Sequence, residues 1–198
     1  MNIKNLIFIV LAFAATQASA GPFGLDKSMS LPELEKQGRF VEEKEQYWFK
    51  ARRLSNGNDN FEEYSVLVVP GYGLCKIIAV GTDINSSSYG DELRSRFKDL
   101  SDALNAKYGA PSSTYDFLRS GSIWDEGRDF MMGLAKKERT LTHFWQSAKG
   151  VALKDNLSAI SLAANALSSS KGYLVLTYEF DNIDSCMSAR KSKANSNL

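Results

Sequence analysis

The chain predicts an α+β fold, an antiparallel sheet with helices packed on one face. Between residues 47 and 80, apolar and aromatic segments of strand length are separated only by turn-forming residues. One apolar stripe, Leu93, Phe97, Leu100, Leu104 and Tyr108, has the spacing of a single helix face. Three further strand-like segments then follow, at 140–145, 158–167 and 173–180. Helices segregated from consecutive strands in this way imply helices laid on antiparallel sheet.

Each element has a local cause. Ser30-Leu31-Pro32-Glu33 starts a helix: Ser30 caps it, Pro32 suits the first turn, and Glu33 completes a capping box. Gly38 is expected to end that helix after about two turns. Tyr47 to Leu54 is aromatic and extended, and the run from Ser55 to Asn60 is a turn by composition. Phe61 to Val69 is a strand with a buried Val66-Leu67-Val68-Val69 end. Pro70-Gly71-Tyr72-Gly73 is a tight turn, and Leu74 to Val80 returns as the next strand, completing a meander. After a polar loop from Thr82 to Gly90, the striped helix runs until Gly109 and Pro111 stop it.

Tyr115 to Gly127 reads as a short helix and a loop, and Asp129 to Lys137 as a helix with Phe130 and Leu134 on one face. Thr140 to Trp145 alternates and is rich in β-branched and aromatic residues, so it is predicted as a strand. Gly150 to Asn156 is a connection. Ser158 to Leu167 is a strand, 168–172 a turn, and Tyr173 to Phe180 the last strand. A polar tail occupies 182–198, with a short fraying helix from Asp184. The body, 21–181, reads as one domain. Its order of helix then three strands occurs twice, dividing it into halves at 28–84 and 89–181.

The segment from Phe23 to Leu34 resembles the openings of small bacterial envelope proteins. The helix-plus-three-strand order is similar to the units of the outer-membrane assembly lipoprotein family (SmpA/BamE) and of the β-lactamase-inhibitor-protein family. Domains of those families bind proteins rather than catalyse, and the resemblance implies the same here. The chain departs from the lipoprotein pattern in lacking the acylated Cys. It also resembles exported proteobacterial proteins, a likeness that brings no function with it.

The first twenty residues read as a secretory signal peptide. Lys4 precedes the apolar run Leu6 to Ala15, and Ala18-Ser19-Ala20 supplies a small-x-small cleavage site, so the mature chain is expected to begin at Gly21. The run is about ten residues, against about twenty for a membrane span. A periplasmic or secreted location is expected, with no membrane span after cleavage. Without Lys4, 23 Lys and Arg balance 23 Asp and Glu. Nucleic-acid binders carry a basic excess that neutralises phosphates, so nucleic acid is not an expected partner.

Two cysteines in an exported chain, Cys75 and Cys186, are either a disulfide or two buried thiols. A bridge would close a loop of about 110 residues, worth about 4–5 kcal/mol in the chain-entropy model. Too few soft ligands exist for a Cys-rich metal site, and one histidine excludes a two- or three-His site, so no metal or cofactor is expected.

Chemistry has few carriers. His143, the sole histidine, shares a strand face with Leu141 and Trp145 and is either a general base or a packed residue. No serine occupies a Gly-x-Ser-x-Gly elbow, and neither Cys lies in a nucleophile motif. Trp124-Asp125-Glu126 with Asp129 is either a carboxylate pair beside an aromatic, suited to glycan hydrolysis, or a solvated helix start. Asn56 to Asn60 lacks the spacing of a calcium loop, and Pro70 to Gly73 lacks the features of a phosphate loop.

Tyr47, Trp48 and Phe49 are consecutive, as are Phe144 and Trp145, so these aromatics cannot all face one core. Exposed aromatics near Arg52 and Arg53 suit a protein interface. The expected function is therefore an exported protein-binding module that acts as an inhibitor, immunity factor or assembly accessory, with Trp48, Arg52, Phe144 and Trp145 as contacts. The alternatives are a small hydrolase using Asp125, Glu126 and His143, and a carrier of a small ligand or lipid between sheet and helices.

Overall fold

A computed structural model describes residues 21–147 and 153–195 of the chain. The predicted signal peptide and part of the predicted 150–156 connection lie outside the described residues. Among the described residues nine strands form one antiparallel sheet: β1 (Val41–Glu42), β2 (Trp48–Ala51), β3 (Phe61–Val69), β4 (Gly73–Gly81), β5 (Ile84–Asn85), β6 (Ser113–Leu118), β7 (Arg139–Gln146), β8 (Leu157–Ala166) and β9 (Lys171–Phe180). Four α-helices accompany them: α1 (Leu31–Leu34), α2 (Asp91–Tyr108), α3 (Phe130–Ala135) and α4 (Ile183–Asn195). The spatial order is β1-β2-β3-β4-β9-β8-β7-β6, with β5 added beside β9. The architecture is α+β.

The predicted meander is β2-β3-β4, and the last three predicted strands are β7, β8 and β9. The two sets meet through their final strands, where Lys76–Val80 pairs with Val175–Glu179. One face of the sheet carries the main core: Tyr64 and Val66 from β3, Ile77 and Ala79 from β4, Ile160 and Leu162 from β8, Leu174 and Leu176 from β9. Strand alternation places these side chains on the same side. Over them lie Leu93, Phe97 and Leu104 of α2 and Met131 and Leu134 of α3. The N-terminal segment covers the rest, with Leu25 and Leu34 buried and the Phe23 ring set edge-on to Phe61, Tyr64 and Tyr178.

Caps and polar ties fix the helices. The Glu33 carboxylate accepts from the Ser30 N–H and hydroxyl, both at 2.7 Å. Yet α1 makes one turn rather than the expected two: past Leu34 the N–H groups of Lys36 and Gln37 bond three residues back, to the carbonyls of Glu33 and Leu34, as a tighter turn, and the Gln37 carbonyl accepts the Ser55 N–H at 2.7 Å and its hydroxyl at 3.0 Å. Gly90, at φ 77°, starts α2 in the left-handed region, where a Cβ would lie 2.3 Å from the Phe130 ring of α3. At the far end, Lys107 and the Tyr108 hydroxyl both bind the buried Asp155 carboxylate, at 2.6 and 2.8 Å. Burial and this neighbouring carboxylate push the Tyr108 hydroxyl far above its ordinary pKa, so it stays a donor.

Two further features differ from expectation. The segment Tyr115 to Gly127, read as a short helix and a loop, instead begins inside β6, Ser113–Leu118. Its Tyr115 and Phe117 point away from the core, so the segment has no buried face to give it strand-like alternation. The second difference is the side on which α4 packs. It lies across the opposite face of the sheet from α2 and α3, over Leu67, Val69 and Cys75. A bulge in β4 sets Cys75 between the pairs Leu67–Lys76 and Val68–Leu74, and Cys186 of α4 meets it with sulfurs 2.05 Å apart. Asn182 leads into α4 by donating to the carbonyls of Tyr72 and Leu74.

The bridge closes a sequence separation of 111 residues. Replacing both Cys75 and Cys186 by Ser should lower unfolding free energy by about 4 kcal/mol, most of it through the larger freedom of the unfolded chain. Urea denaturation of the oxidised protein and the double variant measures the difference. In the variant, limited proteolysis should cut within α4 before the sheet.

Candidate functional site

On the face of the sheet opposite α2, α4 packs over β3 and β4, with Trp48 of β2 at its margin. Beyond α4, cross-strand rows of mostly half-buried side chains have no described element over them. Strand register aligns Tyr115, Thr142, Ala163, Val175 and Val80 in one row, and Ser113, Phe144, Ser161, Thr177 and Ile78 in the next. A third row contains Gln146, Ala159, Glu179 and Lys76, with Lys76 and Glu179 paired at 2.7 Å. Small residues along β8 keep the middle of this face flat.

Aromatic rings rise at its β6 side. The Tyr115 ring lies 5.8 Å from Phe144 and 6.4 Å from Phe117, both edge-on. Tyr115 is 45% exposed and Phe117 51%. Beside them a shallow depression of about 280 Å³ is lined by Phe144, Gln146, Ser161, Thr177, Lys76 and Glu179. Its groups offer donors, acceptors, one ion pair and a ring face, which suits a flat polar–aromatic contact rather than the engulfing of a small ligand.

The four residues expected as contacts are not brought together. Phe144 stands on the open face. Trp48 is on the same face but five strands away, about 24 Å by strand spacing, packed against the Leu67 cluster beneath α4. Arg52 is exposed on a separate open groove of about 710 Å³, which it shares with Arg53, Asp59, Glu62 and Tyr64. Trp145, 1% exposed, is core: its ring is buried on the helix-covered face and its Nε1 donates to the Gly109 carbonyl at 2.9 Å. Alternation along β7 separates Trp145 from its neighbour Phe144.

The residues of the hydrolase alternative are also apart. Asp125 and Glu126 lie exposed in the loop before α3, with Glu126 paired to Arg128 at 2.8 Å. His143 faces α2 from β7. Its Nδ1 is 2.9 Å from the buried Ser101 hydroxyl, and its ring is edge-on to Phe97 at 4.8 Å. Burial lowers the His143 pKa below its ordinary value, with the negative charge of Asp116 acting weakly the other way. The groove around it, about 530 Å³, is lined by Arg94, Lys98, Asp102 and Asn105 and reaches neither Asp125 nor Glu126. Ser101 is inside a helix and 3% exposed, so the pair locks α2 onto β7. This groove and the Arg52 groove are open and bordered by charged groups, unlike the enclosed apolar pocket a lipid carrier needs.

Tyr115 and Phe117 were missed in the sequence. The i, i+2 spacing of two aromatics between polar residues was the signal available for them.

Two predictions follow from these placements. Trp145→Ala should cost about 3–5 kcal/mol through cavity formation and an orphaned Gly109 carbonyl, whereas Phe144→Ala should cost less than about 1 kcal/mol. Denaturant titration of the two variants tests the contrast. The depressed His143 pKa means that the unfolded chain takes up the proton first. Its contribution is fully present above about pH 6.5 and is lost as pH falls through the folded-state value. His143→Gln should flatten the decline of stability between about pH 7 and 5, read from unfolding midpoints across that range.

No family model matches the chain, and no curated protein or solved structure matches it.

Proposed function

We propose that the chain is an exported protein-binding module of the bacterial envelope and that it binds another protein through the open face of its sheet. The observation that carries this reading is the cluster of exposed Tyr115 and Phe117 with half-buried Phe144, at the border of a flat sheet face that the described elements leave largely uncovered. Aromatic anchors on a rigid frame dominate protein–protein contacts, because they bury much area at low conformational cost. The Cys75–Cys186 pair supports an oxidising compartment. The apolar segment ahead of Ala18-Ser19-Ala20 supports export. Among the described residues no helix is long and apolar enough to cross a membrane. The role is that of an inhibitor, immunity factor or assembly accessory.

A photo-crosslinking residue placed at Ala163, in the middle of the open face, should give one discrete protein adduct in the native envelope. The same residue at Lys98, on the exposed side of α2, should give none. Phe144→Ala should weaken the partner's binding about 10- to 100-fold. Mass spectrometry of the periplasmic extract should find the chain starting at Gly21. Equal labelling from positions 163 and 98, or none from 163, refutes binding through this face.

A further inference from the structure

The two ends of the sheet are built differently. At one end β1 is two residues long, too short to template another strand. At the other, β6 runs for six residues as the outermost described strand, with Thr114, Tyr115, Asp116 and Phe117 all exposed. Edge strands are usually blunted by Pro, Lys, a central bulge or covering structure. Between Ser113 and Leu118 there is no Pro, no Lys and no interruption of register. The sole charge is Asp116, and it is neutralised within the chain by Arg139 at 3.3 Å.

The ladder also says which groups are free. The Arg119 N–H bonds to the Glu138 carbonyl at 2.7 Å, in register with the β6–β7 pairing. By antiparallel alternation, Ser113, Tyr115 and Phe117 exchange backbone bonds with β7, while the N–H and C=O groups of Thr114, Asp116 and Leu118 point outward.

We propose that β6 pairs antiparallel with β6 of a second copy of this chain, giving a two-fold dimer with one continuous sheet. A strand of matching length and free-group pattern is supplied by the same edge of another copy. The two-residue β1 cannot supply it, so the contact closes as a dimer and does not propagate into a fibre.

The register follows from faces and charge. Both copies must turn their helices to the same side, so each residue opposes one of the same parity. Centring the pair on Tyr115 sets Thr114 opposite Asp116, a hydroxyl facing a carboxylate. It also sets Tyr115 against Tyr115 and Phe117 against Ser113. Centring on Asp116 would oppose two carboxylates, which is disfavoured. In the chosen register Thr114 and Asp116 exchange both backbone bonds, and by symmetry they do so twice. The aromatic clusters of the two copies then merge across the centre of the extended sheet.

The test is the mass of the full mature chain in solution, by analytical ultracentrifugation at about 0.1 mM, a concentration that populates even a micromolar dimer. Wild type should sediment at twice the monomer mass. Asp116→Pro removes an outward N–H and no ladder bond to β7, so it should be monomeric with an unchanged circular dichroism spectrum. Asp116→Asn keeps that N–H and should remain dimeric, which separates loss of the edge from loss of the Arg139 ion pair. Tyr115→Cys should cross-link to a covalent dimer under mild oxidation, because opposed residues outside the hydrogen-bonded pairs have Cα atoms about 4.5 Å apart. A monomeric wild type overturns the proposal, as does a dimer that survives Asp116→Pro. A dimer whose Tyr115→Cys form fails to cross-link overturns the register. None of these results depends on whether the open face binds a separate protein.

Discussion

The seam between β4 and β9 is the pairing on which the rest of the structure depends. Each three-stranded set is local, but the two sets become one sheet only where Lys76–Val80 meets Val175–Glu179, about a hundred residues apart in sequence. Closing so long a loop costs entropy that the ladder alone must offset. The molecule reinforces the place. Lys76 and Glu179 form a half-buried ion pair on one face at 2.7 Å. Asn182 ties the end of β9 to the carbonyls of Tyr72 and Leu74 at the start of β4. The Cys75–Cys186 bridge makes the same junction covalent. The bulge that places Cys75 is therefore part of the seam, because it turns a residue of β4 out of the regular alternation toward α4.

Once the seam is fixed, the two faces have different fates. The N-terminal segment, α2 and α3 bury one face, and the buried side chains there, Tyr64, Ile77, Leu162 and Leu176, come from strands of both sets. On the other face α4 packs over β3 and β4, with Trp48 of β2 at its margin. This explains the Val66-Leu67-Val68-Val69 run: β3 is buried on both sides at that end and needs no polar alternate. β8 and β9 alternate strictly between buried and half-buried over most of their lengths, because a helix covers one side only. Among the half-buried positions, Ala163, Ser161, Val175 and Thr177 are small or β-branched groups that keep the middle of that face level.

Most of the scaffold was legible because its signals are local. The stripe from Leu93 to Tyr108 is α2, and Phe61–Val69 is β3 to the residue. The Ser30–Glu33 capping interaction was legible too, but the length of α1 was not, because the chain tightens after Leu34 into bonds three residues back and Gln37 is then held by the distant Ser55. β6 was hidden for a related reason: an edge strand with two exposed aromatics and no core-facing apolar row carries no burial pattern. The site suffered most. That Phe144 and Trp145 take opposite faces follows from alternation, but which face a helix covers is decided by the β7–β8 register and the path of α2. Hence the sequence pattern groups Trp145 with the contacts although it is core, and does not show the partner that Ser101 supplies to His143 from forty-two residues away.

The placement of the aromatics ties the unblunted edge to the uncovered face. Tyr115 and Phe117 take their positions on the open face from β6, the same strand whose Thr114, Asp116 and Leu118 leave backbone groups unpaired by any described strand. A segment selected only for folding would bury its rings or cap its edge, since exposed rings on an open edge invite association. Here both features fall on six residues, joined through β7 and β8 to the reinforced seam. Rigidity is what makes that combination useful, because a flat surface held by a continuous ladder loses little conformational freedom when another surface docks on it. A small ligand would gain little from such a face, which encloses nothing; a macromolecule or a second sheet edge gains along its whole length.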